Sequence, residues 1–280
     1  MTRFSANTFF SIRIWIIVIL LPLALQGCTV KEDREPCPCY LDVDYSAVLE
    51  ARPLDRNPGN VDVAVFIPDE TCMTTFQLSD CPTVNENIVE RSMAQVVGVV
   101  HNRVTKDFLA SGGPVTYAAG NQIDSVFVHT STVDCTGEDA YCKLDVHKQF
   151  HTLFLTDEFA GDALRQYNLV IKGSTCGFDA RTLEAIEGEY LYTVQDYDEE
   201  GNISVRVPRQ NKDDLTLEMW TKDDYRRVFV APIGQYMKAS GYDKDAKDLV
   251  DFDIMINFRL ATLYVRVADW DDQYVSARFE

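Results

Sequence analysis

Residues 40–50, YLDVDYSAVLE, alternate large apolar and acidic side chains, with Leu41, Val43 and Tyr45 on one side of an extended chain and Asp42 and Asp44 on the other. Facing in a strand repeats every second residue, so this stretch predicts a strand with one face in a core and one in water. The same period recurs in VDVAVFI (61–67), DSVFVHTS (124–131), HTLFL (151–155), YNLVIKG (167–173) and GEYLYTVQ (188–195). It continues in ISVRVP (203–208), LTLEMW (215–220), RVFVA (227–231), VDFDIMIN (250–257) and LATLYVRVA (260–268). Turn residues separate these runs, which predicts an antiparallel, all-β architecture.

Helical patterns are few. DEFAGDALRQY (157–167) can place Phe159, Ala163 and Gln166 or Tyr167 on one face, with Thr156 or Asp157 as its cap. IGQYMKASGY (233–242) is shorter, with Gly241 as its terminator. The first helix has strands on both sides, so it reads as a connector between two β domains, 39–160 and 161–280. No strict internal repeat is visible, but two β-rich halves of similar size fit two sandwiches.

Upstream, residues 1–27 carry Arg3 and Arg13 as their only charges, followed by an apolar run from Ile14 to Leu25. A positive region before an apolar one is the pattern of a signal peptide. The run is shorter than the roughly 20 residues a spanning helix needs, and Pro22 weakens its end. Leu25, Gln26, Gly27 and Cys28 resemble a bacterial lipobox, with Gln26 departing from the usual small or aliphatic residue. Cys28 is then the lipidation site, acylated by palmitate or a related chain, and the alternative is an uncleaved anchor. Residues 28–38 form the tether. Its charged run, Lys31 to Glu35, cannot pack a core. A lysine followed by acidic residues at this point resembles the signal that exports Bacteroidota lipoproteins to the cell surface; a plain solvated linker is the other reading.

The formal net charge is −18, and losing two arginines with residues 1–27 makes it −20. Nucleic acid and anionic lipid surfaces are therefore poor partners. Beyond Cys28 stand Cys37, Cys39, Cys72, Cys81, Cys135, Cys142 and Cys176, an odd number that leaves one unpaired or bonded between chains. Cys72 with Cys81 and Cys135 with Cys142 are the closest spacings that could bridge a polar loop, although spacing alone does not settle pairing. CPC at 37–39 is not a CxxC motif, and no metal site is expected.

No GxSxG, P-loop or dinucleotide fingerprint occurs. His147 and His151 lack the glutamate of HExxH and, along a strand, stand about 13 Å apart. Asp196 to Asn202 opens like a calcium loop, but Val207 occupies the position that needs a bidentate acid. It reads better as a hairpin turn, with Gly201 and Asn202 at positive φ. Asp269, Asp271 and Asp272 beside Trp270 could line a glycosidase cleft, yet no partner acid is identifiable. The expectation is therefore no enzyme, no catalytic residue and no cofactor.

Several phrases together resemble the fimbrillin-associated anchor proteins of Bacteroidales. They are CPCYLDVDYS (37–46), AAGNQIDSVFVHTSTVDCTGEDAYCKLDVHKQFHTLFL (118–155), CGFDARTLEAIEGEY (176–190), VRVPRQ (205–210), SGYDKDAKDLVDFDIMI (240–256) and VADWDDQYV (267–275). The resemblance covers most of the chain after residue 27 and rests on their order. It implies two tandem transthyretin-like β-sandwich domains and a lipoprotein of the cell outer membrane that anchors fimbriae and limits their length. The implied partners are fimbrial shaft subunits, the fimbrillins, joined by β-strand addition. The lipidated cysteine carries over to Cys28. Lys148 and Arg209 carry over as positions only, with buried salt bridging as their expected role. Residues 273–280 read as a domain-closing strand rather than a long donor tail. The rivals are a glycan-capture lipoprotein or tip adhesin, which needs Trp220 and Trp270 exposed and adjacent, and a glycosidase using Asp271 or Asp272.

Overall fold

The computed structural model describes residues 37–51, 59–102, 113–157, 164–257, 262–267 and 275–278. Cys28, the connector residues 158–163, and Asp269, Trp270, Asp271 and Asp272 lie outside them. Pro38–Glu280 forms one compact unit.

The described strands make four sheets. Sheet I holds β1 (Cys39–Asp44) between β4 (Val84–Val89) and β8 (Asp139–Lys143). Sheet II runs β3 (Thr71–Gln77), β2 (Asn60–Phe66), β5 (Met93–His101), β7 (Phe127–Asp134) and β9 (His147–Lys148). Sheet III runs β12 (Ala185–Thr193), β11 (Tyr167–Asp179), β14 (Thr216–Thr221) and β15 (Arg227–Ala231), and β6 (Pro114–Thr116) joins it on β11. Sheet IV runs β13 (Ile203–Pro208), β10 (Phe150–Asp157), β16 (Phe252–Asn257), β17 (Thr262–Val267) and β18 (Val275–Arg278). The result is an all-β protein built as sandwiches.

Alternation sets which side chains go in. Cys39, Leu41 and Val43 of β1 are fully buried, as are Leu153 and Leu155 of β10 and Leu169 and Ile171 of β11. They belong to one continuous apolar core. The opening stretch itself is strand only to Asp44. Asp44 Oδ1 accepts the Ser46 N–H at 2.7 Å, and Ser46–Ala51 turns into helix α1, so Tyr45 reaches the core from the corner rather than from the strand.

Sheet membership changes between β9 and β10, at Gln149, ahead of the boundary near 160 read from the sequence. Of the expected connector helix, the described part is a 3-10 turn, Leu164–Gln166, between β10 and β11; Asp157 ends β10 and Tyr167 opens β11. The second helix is present as α2 (Ile233–Ala239), and Gly241 after it takes φ 98°, as a terminating glycine should. The Asp196–Asn202 turn joins β12 to β13, strands of different sheets, so it is a crossover and not a hairpin. Gly201 alone supplies its positive φ, at 87°, while Asp198 Oδ1 accepts the Asn202 N–H at 2.7 Å.

The central strands of sheet II, β2 and β5, are buried on both faces. Val61, Val63 and Val65 face the main core, whereas Ala64, Val97, Val99 and Val128 form a second core with Val115 of β6 and with Phe178 and Ala180 at the end of β11. A thirteen-residue β11 thus pairs within sheet III along its length, while its last residues also seal the second core. Arg181 reinforces the seam: its guanidinium lies 4.5 Å from the Phe66 ring centroid and donates to Gln95 Oε1 at 2.8 Å.

Candidate functional site

The outer face of sheet III carries the most concentrated surface chemistry. In LTLEMW, Leu217 and Met219 go to the core, which turns Glu218 outward, and a register shift after Met219 brings Trp220 opposite Arg227. Pairing of β11 with β14 sets Val170 beside Glu218 and Asn168 beside Trp220. Glu218, only 7% exposed in its side chain, receives Lys172 Nζ at 2.8 Å, Arg227 Nη1 at 3.2 Å and the Trp220 indole N–H at 2.9 Å. Burial pushes its carboxyl up, but these three bonds together outweigh burial and hold it below the usual glutamate range. Both cations also sit 5.8 Å from the Trp220 ring.

Next to this network, the β14–β15 turn holds Tyr225 at φ 50° with its side chain exposed. A non-glycine residue there is strained. Thr221 Oγ1 hydrogen-bonds Asp224, and the Thr221 and Arg226 backbones close the turn at 2.9 Å. Tyr225, Trp220, Leu191, Val170 and Asn168 border an open hollow of about 420 Å³. At the end of the described strand order of sheet III, β15 pairs with β14 and exposes Val228 and Val230, 37% and 41% accessible.

Replacing Glu218 by Gln removes the carboxylate from between two cations and is expected to cost about 1–3 kcal/mol, the range for losing charge-assisted hydrogen bonds at a nearly buried site. Urea denaturation measures it, and a change below about 0.5 kcal/mol, the usual surface value, contradicts the role given to Glu218.

A second hollow of about 560 Å³ lies by His129, Asp145, His147, Arg209 and Lys244. Its polar groups already serve one another. His129 Nε2 bonds Ser131 Oγ at 2.8 Å, and His147 Nδ1 bonds Asp248 at 3.0 Å. Arg209 donates to Gln149 Oε1 and to the carbonyls of Lys244, Ala246 and Lys247. Salt bridging, expected for both Lys148 and Arg209, is found at Lys148, whose Nζ meets Asp251 at 2.6 Å; Arg209 is held by amide and carbonyl oxygens, because the 244–247 loop offers backbone there. His151 is fully buried and His147 half-buried, so the two do not converge. Among the described residues no group of three or more His, Cys, Asp or Glu is arranged to hold a metal ion.

Seven cysteines lie among the described residues: Cys39, Cys135 and Cys142 are buried, Cys72, Cys81 and Cys176 half-buried, and Cys37 exposed. Cys142 lies 3.6 Å from His129 Nε2, but burial raises the thiol and lowers the imidazole, the reverse of an activated pair. Cys142 also contacts Ser131 Oγ at 3.4 Å, four residues before Cys135 on the β7 line. Cys81 neighbours Tyr45, whose ring stacks edge-on with Phe76 at 5.6 Å; Cys72 stands four residues from Phe76 along β3. Trp220 was visible as an aromatic, but its partners depend on strand register and left no local signal.

The folded body is thus a tandem β-sandwich. No family model and no curated protein matches the sequence. Solved structures do share the fold. A candidate polysaccharide-binding protein from Bacteroides thetaiotaomicron superposes with TM-score 0.58 at 10% identity, over 86% of this chain and 98% of that one. A candidate adhesin from Bacteroides ovatus gives 0.55 at 12% identity, over 88% and 97%. The fimbrial anchor protein Mfa2 from Porphyromonas gingivalis gives 0.51 at 8% identity, over 84% and 98%.

Proposed function

We propose that the chain is a cell-surface lipoprotein that anchors fimbriae to the outer membrane and regulates their assembly or length. The observation that carries this reading is a body of tandem sandwiches, similar along nearly its whole length to a fimbrial anchor, placed directly after a lipobox-like sequence at Cys28. A lipid on Cys28 would hold the chain, residues 28–38 would give it reach, and the sandwiches beyond them would meet the fimbria. β15, the last strand in the described order of sheet III, is the element offered here to a fimbrillin for strand addition, with the exposed Val228 and Val230 supplying contacts for alternate side chains. The role is structural, with no catalytic step.

Cys28→Ala is expected to abolish incorporation of labelled palmitate and to release nearly all fimbriae from cells into the medium. Cells that keep fimbriae of unchanged length and number would sink the reading. A second reading, a glycan-binding lipoprotein or tip adhesin, is favoured by the Trp220 and Tyr225 hollow, where an aromatic face lies beside hydrogen-bonding Asn168. Glycan-array binding that disappears in Trp220→Ala, with fimbrial retention unaffected by Cys28→Ala, would favour it.

A further inference from the structure

The cysteines nearest the tether are placed by strand register, and the register can be followed row by row. β1 and β8 run parallel, with Val43 opposite Cys142 and Tyr40 opposite Asp139. Across the sandwich, Cys142 Sγ touches Ser131 of β7. One row therefore contains Val43, Cys142 and Ser131. Moving four residues back along β1 leads to Cys39. Moving four residues on along β7, which runs the other way, leads to Cys135. Both steps go in the same direction by the same length, so Cys39 of sheet I and Cys135 at the end of a sheet II strand arrive together.

The backbone fixes both positions. Tyr40 N–H donates to the Glu138 carbonyl at 2.8 Å, and Cys135 N–H donates to the Ser92 carbonyl at 3.0 Å. The turn from β7 to β8 crosses between the two sheets at this end. Neither Cys39 nor Cys135 has any solvent exposure. Burial first, and then the Cys39 thiol against it, push the Cys135 thiol up to about 12.

We propose that Cys39 and Cys135 form a disulfide in the exported protein, clamping the first residue of β1 to the β7–β8 turn. Closure belongs to folding, before the thiols are sealed. One thiolate attacks an oxidised dithiol or a small-molecule disulfide of the export compartment, forming a mixed disulfide and releasing one thiol. The second thiolate then displaces the other thiol, so two electrons and two protons leave the protein and the oxidant is reduced to its dithiol form.

The position gives the bond a use, and this part rests on the anchor reading. Tension on the lipid enters through residues 28–38 and reaches the folded body at Cys39. Without the bond, peeling of the strand is resisted by the hydrogen bonds of β1 to β4 and β8 and by the packing of Leu41 and Val43 in the core, all of it non-covalent. With it, the pull passes covalently into the β7–β8 turn and β1 is bypassed. Cys37, two residues earlier and exposed, remains outside the clamp.

The test uses the full chain expressed with its own leader. Alkylation under denaturing conditions followed by peptide mapping is expected to recover a Cys39–Cys135 cross-linked peptide pair. Alkylation of both residues, or linkage of either to Cys37, Cys81 or Cys142, overturns the proposal. In Cys39→Ala/Cys135→Ala, amide exchange across residues 40–44 is expected to rise about tenfold or more while sheet IV amides are unchanged, because the clamp acts on one local unit. Unchanged exchange in β1 overturns the clamping role. Neither measurement involves fimbriae, so both results stand apart from the outcome of Cys28→Ala; if the double variant does not fold, mapping of the unsubstituted chain still decides.

Discussion

Gly177→Ala is expected to pull β6 away from β11 and to destabilise the protein by about 3 kcal/mol or more, the sum of a buried valine and several backbone hydrogen bonds. A Cβ added at Gly177 would stand 2.0 Å from the Val115 carbonyl oxygen and 2.9 Å from the Thr116 Cα. Both are backbone atoms, so no side chain can swing aside. Either β6 shifts or β11 bends, and each movement opens the second core, where Val115 packs with Phe178, Val97 and Val99. That core joins the sandwiches, so the damage should spread to sheet II. Gly137→Ala is the control, since its Cβ would meet nothing nearer than 3.7 Å and should change stability by less than about 0.5 kcal/mol. Urea denaturation of both variants decides: equal midpoints would mean that β6 contributes nothing to the seam.

The seam also marks where sequence reading stops. Strands with one wet face were legible, because β1, β13 and β16 alternate buried and more accessible residues along most of their length. β5 was not, because MAQVVGVVH is buried on both sides and its apolar run carries no period. β3 and β4 were missed for the opposite reason: TCMTTFQ and VNENIV lie largely exposed, so polar residues interrupt the pattern. At 157–167 the apolar residues at helical spacing include the end of one strand, Asp157, a 3-10 turn at Leu164–Gln166 and the start of the next strand, Tyr167, while 158–163 lie outside the described residues. At the candidate surfaces the limit is register. Glu218, Lys172 and Arg227 meet only after β11, β14 and β15 align.

Register also isolates His151, and its isolation makes stability depend on pH. The ring is wholly buried between Tyr242 and Phe252, at centroid distances of 5.6 Å and 6.1 Å, and neither nitrogen has a hydrogen-bond partner. Burial, then the charges of Lys148 and Arg209, lower its pKa to about 3. The unfolded chain, with an ordinary histidine near 6.5, binds the proton first. Stability from this residue is therefore complete above pH 6.5 and is lost as pH falls from there toward 3, at about 1.4 kcal/mol per pH unit. At pH 4 the loss should approach about 3 kcal/mol. His151→Leu removes the titration. It leaves no polar atom unpaired, so at pH 7.5 it should be neutral or slightly stabilising, by up to about 1 kcal/mol. The difference between variant and wild type should then widen steadily below pH 6.5, as the wild-type ring resists the charge that the Lys148 and Arg209 side of its pocket repels. Parallel stability curves for the two proteins from pH 7.5 to 4 would show that His151 finds a way to be protonated inside the fold.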